Sequence, residues 1–259
     1  MVRGLRNIER RVLPRGWVDA ARQLLLFAAA YYAYQIVRGT VDGKVATAAW
    51  NATKIINLEQ SMHMFAEPSV QAWASSTAWI IHFADWMYLN SHFVVTVGAL
   101  VYLYLLRNTA FYFVRNMFMI AMGIALLGYT LYPTAPPRLM PEWGFTDSVA
   151  AFTGVRVENE PVSALLNLYA AVPSMHVCFA LMVGWPLARL VKPRALKVAW
   201  ALYPLLVTFV VVATGNHYFL DAVLGALTAG VSALLSHQLL ARARPHAWAF
   251  RRAEAEAAA

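Results

Sequence analysis

Two histidines, an aspartate and an arginine are spaced along this chain in a way that could move a phosphoryl group. His217 and Asp221 stand four residues apart at the head of an apolar run. On a helix that spacing stacks both side chains on one face, in contact range. A carboxylate beside an imidazole fixes its tautomer, orients the ring and stabilises the cation that forms during reaction. An Asp in an apolar span is costly unless paired, and His217 is the obvious partner. The plainer reading is a helix-stabilising His–Asp pair, but such residues rarely enter apolar spans without purpose.

His176 belongs to a second stretch, Ala171-Val172-Pro173-Ser174-Met175-His176, which follows a Pro-rich connection and opens the apolar run Val177 to Val191. Pro173 suits the first turn of a helix and Ser174 can cap its exposed amides, so His176 is expected in that first turn. A helix N-terminus is electropositive and offers unpaired N–H donors, which makes it a phosphate site. The plainer reading is a capped helix with an incidental interfacial His. The third piece is Arg138, at the end of Tyr132-Pro133-Thr134-Ala135-Pro136-Pro137-Arg138. Prolines stiffen that segment, and a guanidinium presents a planar fork to two phosphate oxygens. An arginine touching lipid headgroups is the plainer alternative. Together these residues supply a nucleophile with its orienting carboxylate, a second imidazole for general acid work and an anion clamp. Metal-free phosphoryl transfer through a phosphohistidine needs that set.

The elements that must hold them are membrane helices. Of 259 residues, 60% are hydrophobic and only 13% charged, about half the charge of a soluble domain. Several apolar runs approach the roughly 20 residues that cross a bilayer. The net charge of +8 sits in short clusters between those runs, as membrane topology is written, and not on one nucleic-acid patch. The single Cys178 excludes an intramolecular disulfide and a thiolate metal cluster.

The fold expected is all-α and polytopic, with six transmembrane helices: Val18–Val37, Trp86–Leu106, Phe111–Tyr132, Val172–Val191, Ala199–Thr214 and Tyr218–Leu240. The first reads as a retained signal-anchor, because its apolar run is long and the basic region before it extended. Residues 1–17 form a basic cytoplasmic arm, 18–241 a single catalytic domain, and 242–259 a cytoplasmic tail. Between the first two spans, segment 40–80 carries Val45, Ala48, Ala52, Ile55, Ile56, Leu58, Met62 and Phe65 at near-helical spacing. That pattern suits an amphipathic helix on the membrane surface or covering the bundle. The glycosylation-like Asn51-Ala52-Thr53 inside it is read as a chance match. The outer loop 133–170 is the longest connection. Arginine and lysine clusters at the N-terminus, 107–115, 192–197 and the C-terminus all fall inside if there are six spans. His176, His217 and Arg138 then share the outer face.

At these residues the chain resembles the type 2 phosphatidic acid phosphatase superfamily. Pro173-Ser174-Met175-His176 is similar to its Pro-Ser-Gly-His motif, and His217-Tyr218-Phe219-Leu220-Asp221 to its His-x-x-x-Asp motif. Pro136-Pro137-Arg138 resembles the first motif in the branch that includes inositol phosphorylceramide synthases. The likeness spans residues 50–230 or so, and the two motifs in order are fairly specific. It implies that His217 attacks phosphorus, Asp221 activates it and His176 protonates the leaving oxygen, while Ser174 and Arg138 hold phosphoryl oxygens. The chain departs from the pattern at Leu131, where a Lys is usual, at Val211, where an Arg is usual, and at Met175, where Gly is usual. The phosphate pocket must therefore be built differently, with His92, Thr214, Asn216 or Arg156 as candidates.

The function expected is metal-independent phosphoryl transfer on lipid-linked phosphate at the outer membrane face, with no cofactor and no nucleic acid. Water as acceptor makes a lipid phosphatase; an alcohol such as inositol makes a headgroup transferase. Two other readings fit some of the same residues. His176, His217 and Asp221 resemble a facial metal triad, but Arg138 beside them would oppose a cation. A transporter or lipid-binding protein could line a pathway with the same residues, though the two halves of the chain show no self-similarity. His63 and His82 read as interfacial polar tips, and Arg115 as a residue of the inner side.

Overall fold

The computed structural model describes residues 13–41, 44–154 and 169–244. Most of the basic arm, Arg156 and the C-terminal tail lie outside the described residues. Apolar residues here are spent almost wholly on helices. These are α1 (Gly16–Val41), α2 (Val45–Ser61), α3 (Glu67–Ser75), α4 (Ala78–Leu106), α5 (Asn108–Leu131), α6 (Ser148–Thr153), α7 (Met175–Leu190), α8 (Arg194–Ala213) and α9 (Phe219–Leu235). A wider, π-helical stretch, Ser236–Arg242, prolongs α9. Among the described residues there is no strand, only an isolated parallel bridge between Thr134 and Ala170.

Three helices, Asn108–Leu131, Arg194–Ala213 and Phe219–Arg242, are each long and apolar enough to cross a membrane. A fourth, α4, qualifies as two halves bent by 44° near residues 91–93. Just before the bend the Asn90 amide and the Ser91 hydroxyl both donate to carbonyls four residues back, Trp86 and Met87. Such side-chain competition bends helices. Large apolar side chains point outward from these helices, among them Leu131, Leu205 and Leu227. An apolar exterior of that extent suits lipid rather than water.

Several boundaries differ from the expectation. The second long helix starts at Ala78, not Trp86, and the fourth at Met175, not Val172, because Ser174 is its N-cap. Segment 40–80 is two helices, α2 and α3, parted where His63 adopts a left-handed backbone (φ 56°). The last helix begins at Phe219, so His217 precedes it.

Three apolar clusters organise the molecule. One joins α4, α5, α7 and α9 around Phe118, Cys178 and Val183; a second joins α4, α7, α8 and the head of α9 around Val211 and Ala222. The third fastens α2 over the loop that follows α5, with Ile55 and Ile56 against Met140, Phe145 and Tyr218. Thus α2 covers the bundle. At the other end, Asp19 of α1 accepts from Gln23, from Tyr104 of α4 and from Tyr112 of α5 at 2.6–3.0 Å. Arg115 is buried there and donates to Gln23, tying α1 to α5.

Candidate active site

Each element of the site is positioned by backbone. After α8 the chain reverses at Gly215, whose φ of +67° is a conformation that favours glycine. Asn216 and His217 both donate their amides to the Val211 carbonyl, which locks the turn. Arg138 is brought to the same turn, its amide donating to the Gly215 carbonyl at 2.7 Å. The segment before it is stitched on both sides: Ala135 N–H to Ala48 C=O, Asn51 Nδ2 to the Pro133 carbonyl, and the Tyr218 hydroxyl to the Ala135 carbonyl. Ser174 donates its amide to the Asp221 carbonyl, and α9 passes so close that a Cβ on Gly225 would lie 2.3 Å from the Ser174 carbonyl oxygen. The two histidine-bearing chain ends are therefore in direct backbone contact.

The side chains converge accordingly. His176 Nδ1 lies 3.3 Å from His217 Nε2, and His217 Nδ1 lies 3.4 Å from Asp221 Oδ2. The latter pair is in ionic range but not aligned as a hydrogen bond. Asp221 is wholly buried, and its Oδ2 also accepts from the Tyr218 amide at 3.0 Å. The ring of Tyr88 stacks on His176, centroids 4.7 Å apart. Arg138, buried, donates Nη1 to Asn216 Oδ1, and its Nε lies 3.9 Å from Asp147 Oδ2. Asn216 is steadied in turn by the Thr214 hydroxyl at 2.8 Å.

These groups stand at one end of a cavity of about 1070 Å³, whose walls include Arg138, His176, Asn216 and His217. From there it runs between α1, α4 and α5, past Phe27, Val97 and Ala125 to Trp17 and Phe111. Tyr129 and Phe111 both line it; on one helix they are separated by roughly 27 Å, close to the thickness of the hydrocarbon core.

Of the residues singled out from the sequence, His176, His217, Asp221 and Arg138 are brought together. Ser174 is buried, its hydroxyl capping α7 at the Val177 amide (3.5 Å), and it is not among the residues lining the cavity. His92 lies on α4, but its side chain is outside the described residues. Leu131 faces outward and Val211 is wholly buried among apolar neighbours. Among the described residues no three His, Cys, Asp or Glu side chains are grouped to hold a metal ion.

Sequence reasoning missed Tyr88, Asp147, and the two glutamates of the covering helices. Glu59 Oε1 accepts from the Leu220 amide at 2.7 Å and Glu67 Oε1 from the Phe219 amide at 2.8 Å. The one signal was two acids eight residues apart, at positions an amphipathic reading leaves on either face.

Compared with curated proteins and with solved structures, the chain matches none. A family model, that of the PAP2 superfamily, matches residues 53–235, a stretch that holds α3 to α9 and every residue of the convergence just described. With that match covering more than half its length, the chain belongs to the PAP2 superfamily.

Proposed function

We propose that this chain is a membrane phosphoryl-transfer enzyme acting on lipid-linked phosphate, in its simplest form a lipid phosphatase. The observation that carries the reading is the imidazole pair, His176 and His217, beside Asp221 and Arg138 at the polar end of a deep apolar cavity. Superfamily members are generally phosphatases or phosphotransferases, which supports an enzyme.

In this reading the chain crosses the bilayer six times, α1, α4, α5, α7, α8 and α9 being the spans. Both termini are cytoplasmic and the site faces outward. Residues 18–241 act as one catalytic domain between the arm 1–17 and the tail 242–259. A proton on His217 Nδ1, which lies 3.4 Å from Asp221 Oδ2, leaves Nε2 as the free lone pair. His176 Nδ1 then carries the proton shared with it, as a general acid must. Substrate phosphorus enters between the rings and replaces their contact. His217 Nε2 forms a bond to phosphorus while the bond to the leaving oxygen breaks, and that oxygen takes the His176 proton. Water, deprotonated by His176, then attacks phosphorus and releases His217. Arg138, oriented by Asn216 and Asp147, balances the phosphoryl charge. The apolar tail of the lipid occupies the cavity between α1 and α4–α5.

An alcohol such as inositol in place of water makes the same scheme a headgroup transferase. Among the described residues Arg138 is the one arginine at the site, which favours keeping that second reading: with Leu131 and Val211 in place of cations, a phosphodiester of lower charge suits the site.

The test is release of phosphate from phosphatidate in detergent micelles, with and without inositol. We expect release by the wild type, loss of at least about a thousandfold in His217→Ala and His176→Ala, and no effect of EDTA. Inhibition by EDTA that added metal restores would sink the phosphohistidine scheme. A lipid product that appears only with inositol would make the enzyme a transferase.

A further inference from the structure

The amides of Tyr218, Phe219 and Leu220 open α9 immediately after His217. Each is taken by a carboxylate from a different helix: Asp221 of α9 at 3.0 Å, Glu67 of α3 at 2.8 Å and Glu59 of α2 at 2.7 Å. The first N–H groups of a helix need acceptors, and an anion there is favoured by the helix dipole. Three anions at one buried turn are another matter. Glu59, Glu67 and Asp221 are each wholly buried, and like charges gathered away from water are costly.

The second oxygens resolve the conflict. Glu59 Oε2 and Glu67 Oε2 are buried and meet no N–H or hydroxyl donor, and the two carboxyls lie side by side, accepting from the consecutive amides of Leu220 and Phe219. One proton held between them satisfies both orphan oxygens and removes one charge. Burial, foremost, and then the neighbouring Glu67 carboxyl push the Glu59 carboxyl up to about 9, against the pull of the Leu220 amide. Among the described residues, the other ionisable groups facing this turn are Asp221, His217, Tyr218 and Glu142 of the turn Pro141–Trp143. Neither glutamate lines the cavity.

We propose that Glu59 and Glu67 form a one-proton carboxyl pair that clamps the backbone of residues 219 and 220 from outside the site and so sets how His217 meets Asp221. They are positioning residues for the nucleophile, and the covering helices α2 and α3 exist in part to deliver them. In its catalytic half the proposal rests on the phosphohistidine reading above.

The sign of the pH effect follows. Between the ordinary carboxyl value of 4.5 and about 9 the folded protein keeps a proton that the unfolded chain releases. Stability therefore falls as pH rises through that window. At its upper end a further anion appears beside Glu67 and Asp221, and the clamp loosens.

The experiment uses the full chain in detergent micelles, as wild type, Glu59→Ala, Glu59→Gln and Glu67→Gln. Unfolding temperature without substrate, and kcat and KM on phosphatidate, are followed from about pH 6 to about pH 10. Glu59→Ala is expected to lower kcat by about tenfold or more with KM within about twofold. Glu59→Gln keeps an acceptor for Leu220 and gives Glu67 an N–H, so it should restore most of that loss and flatten the alkaline decline in both readouts. Wild-type kcat in Glu59→Ala, or an unfolding temperature in Glu59→Gln that falls with pH as in the wild type, would overturn the proposal. If Glu59→Ala does not fold, the two glutamine variants decide through their pH series. A wild type that turns over no lipid phosphate would defeat the functional reading, while the unfolding series still tests the pair.

Discussion

Arg138 illustrates how one side chain can be fixed without being saturated. Its Nη1 is committed to Asn216, its Nε has no hydrogen-bond partner, and Asp147 stands 3.9 Å away as a steering charge. A lysine at 138 would keep the charge but could not hold Asn216 and a phosphate together, since the fork is lost. Arg138→Lys should therefore raise KM about tenfold while leaving the protein folded, as steady-state kinetics on phosphatidate would reveal. An unchanged KM would mean that the guanidinium serves the fold rather than the phosphate. At this scale the sequence was informative where contacts are local. Ser174 caps the helix that His176 begins, and His217 reaches Asp221 four residues on. It was silent where partners are remote: Tyr88 meets His176, and Glu59 and Glu67 reach α9 across 161 and 152 residues. No periodicity encodes such pairs, because they depend on how helices pack.

Among the elements, α7 and α9 touch where both histidines are launched, and the contact depends on the missing side chain of Gly225. A methyl group there would meet the Ser174 carbonyl oxygen at 2.3 Å, and backbone cannot yield as a side chain can. Gly225→Ala is expected to cost about 1–3 kcal/mol of stability and most of the turnover. Gly230→Ala, on the same helix with open space around its added carbon, should be harmless or mildly stabilising. Melting temperature and phosphate release on the two variants compare them directly; equal losses would refute the close-packing account. Helix existence was readable from the apolar runs, but starts were not. Position 217 belongs to a turn, since two amides there bond back to Val211 and the helix opens only at Phe219. The His–Asp contact therefore survives for a different reason from helical stacking: Asp221 sits in the first turn and reaches back. Likewise 40–80 divides at His63, a break the apolar spacing alone does not mark.

At the scale of the whole molecule, α1, α4 and α5 all wall the cavity, and the Asp19 cluster fastens α1 to α4 and α5 at the end away from the histidines. Ala28 of α1 faces that space. Ala28→Trp should leave turnover of a short-chain phosphate nearly unchanged and reduce kcat/KM for a long-chain one by about tenfold, measured side by side in micelles. Equal effects on both would place the tail elsewhere. The walls of this cavity include residues exposed on the outer face of the helix bundle, Leu24 and Phe93 among them. On the reading proposed above, its occupant is a lipid drawn from a two-dimensional solvent in which every neighbouring lipid is a competitor. Affinity for such a site is governed by surface mole fraction, not by molarity, so adding inert detergent at constant total substrate should slow the reaction as dilution slows one in a test tube.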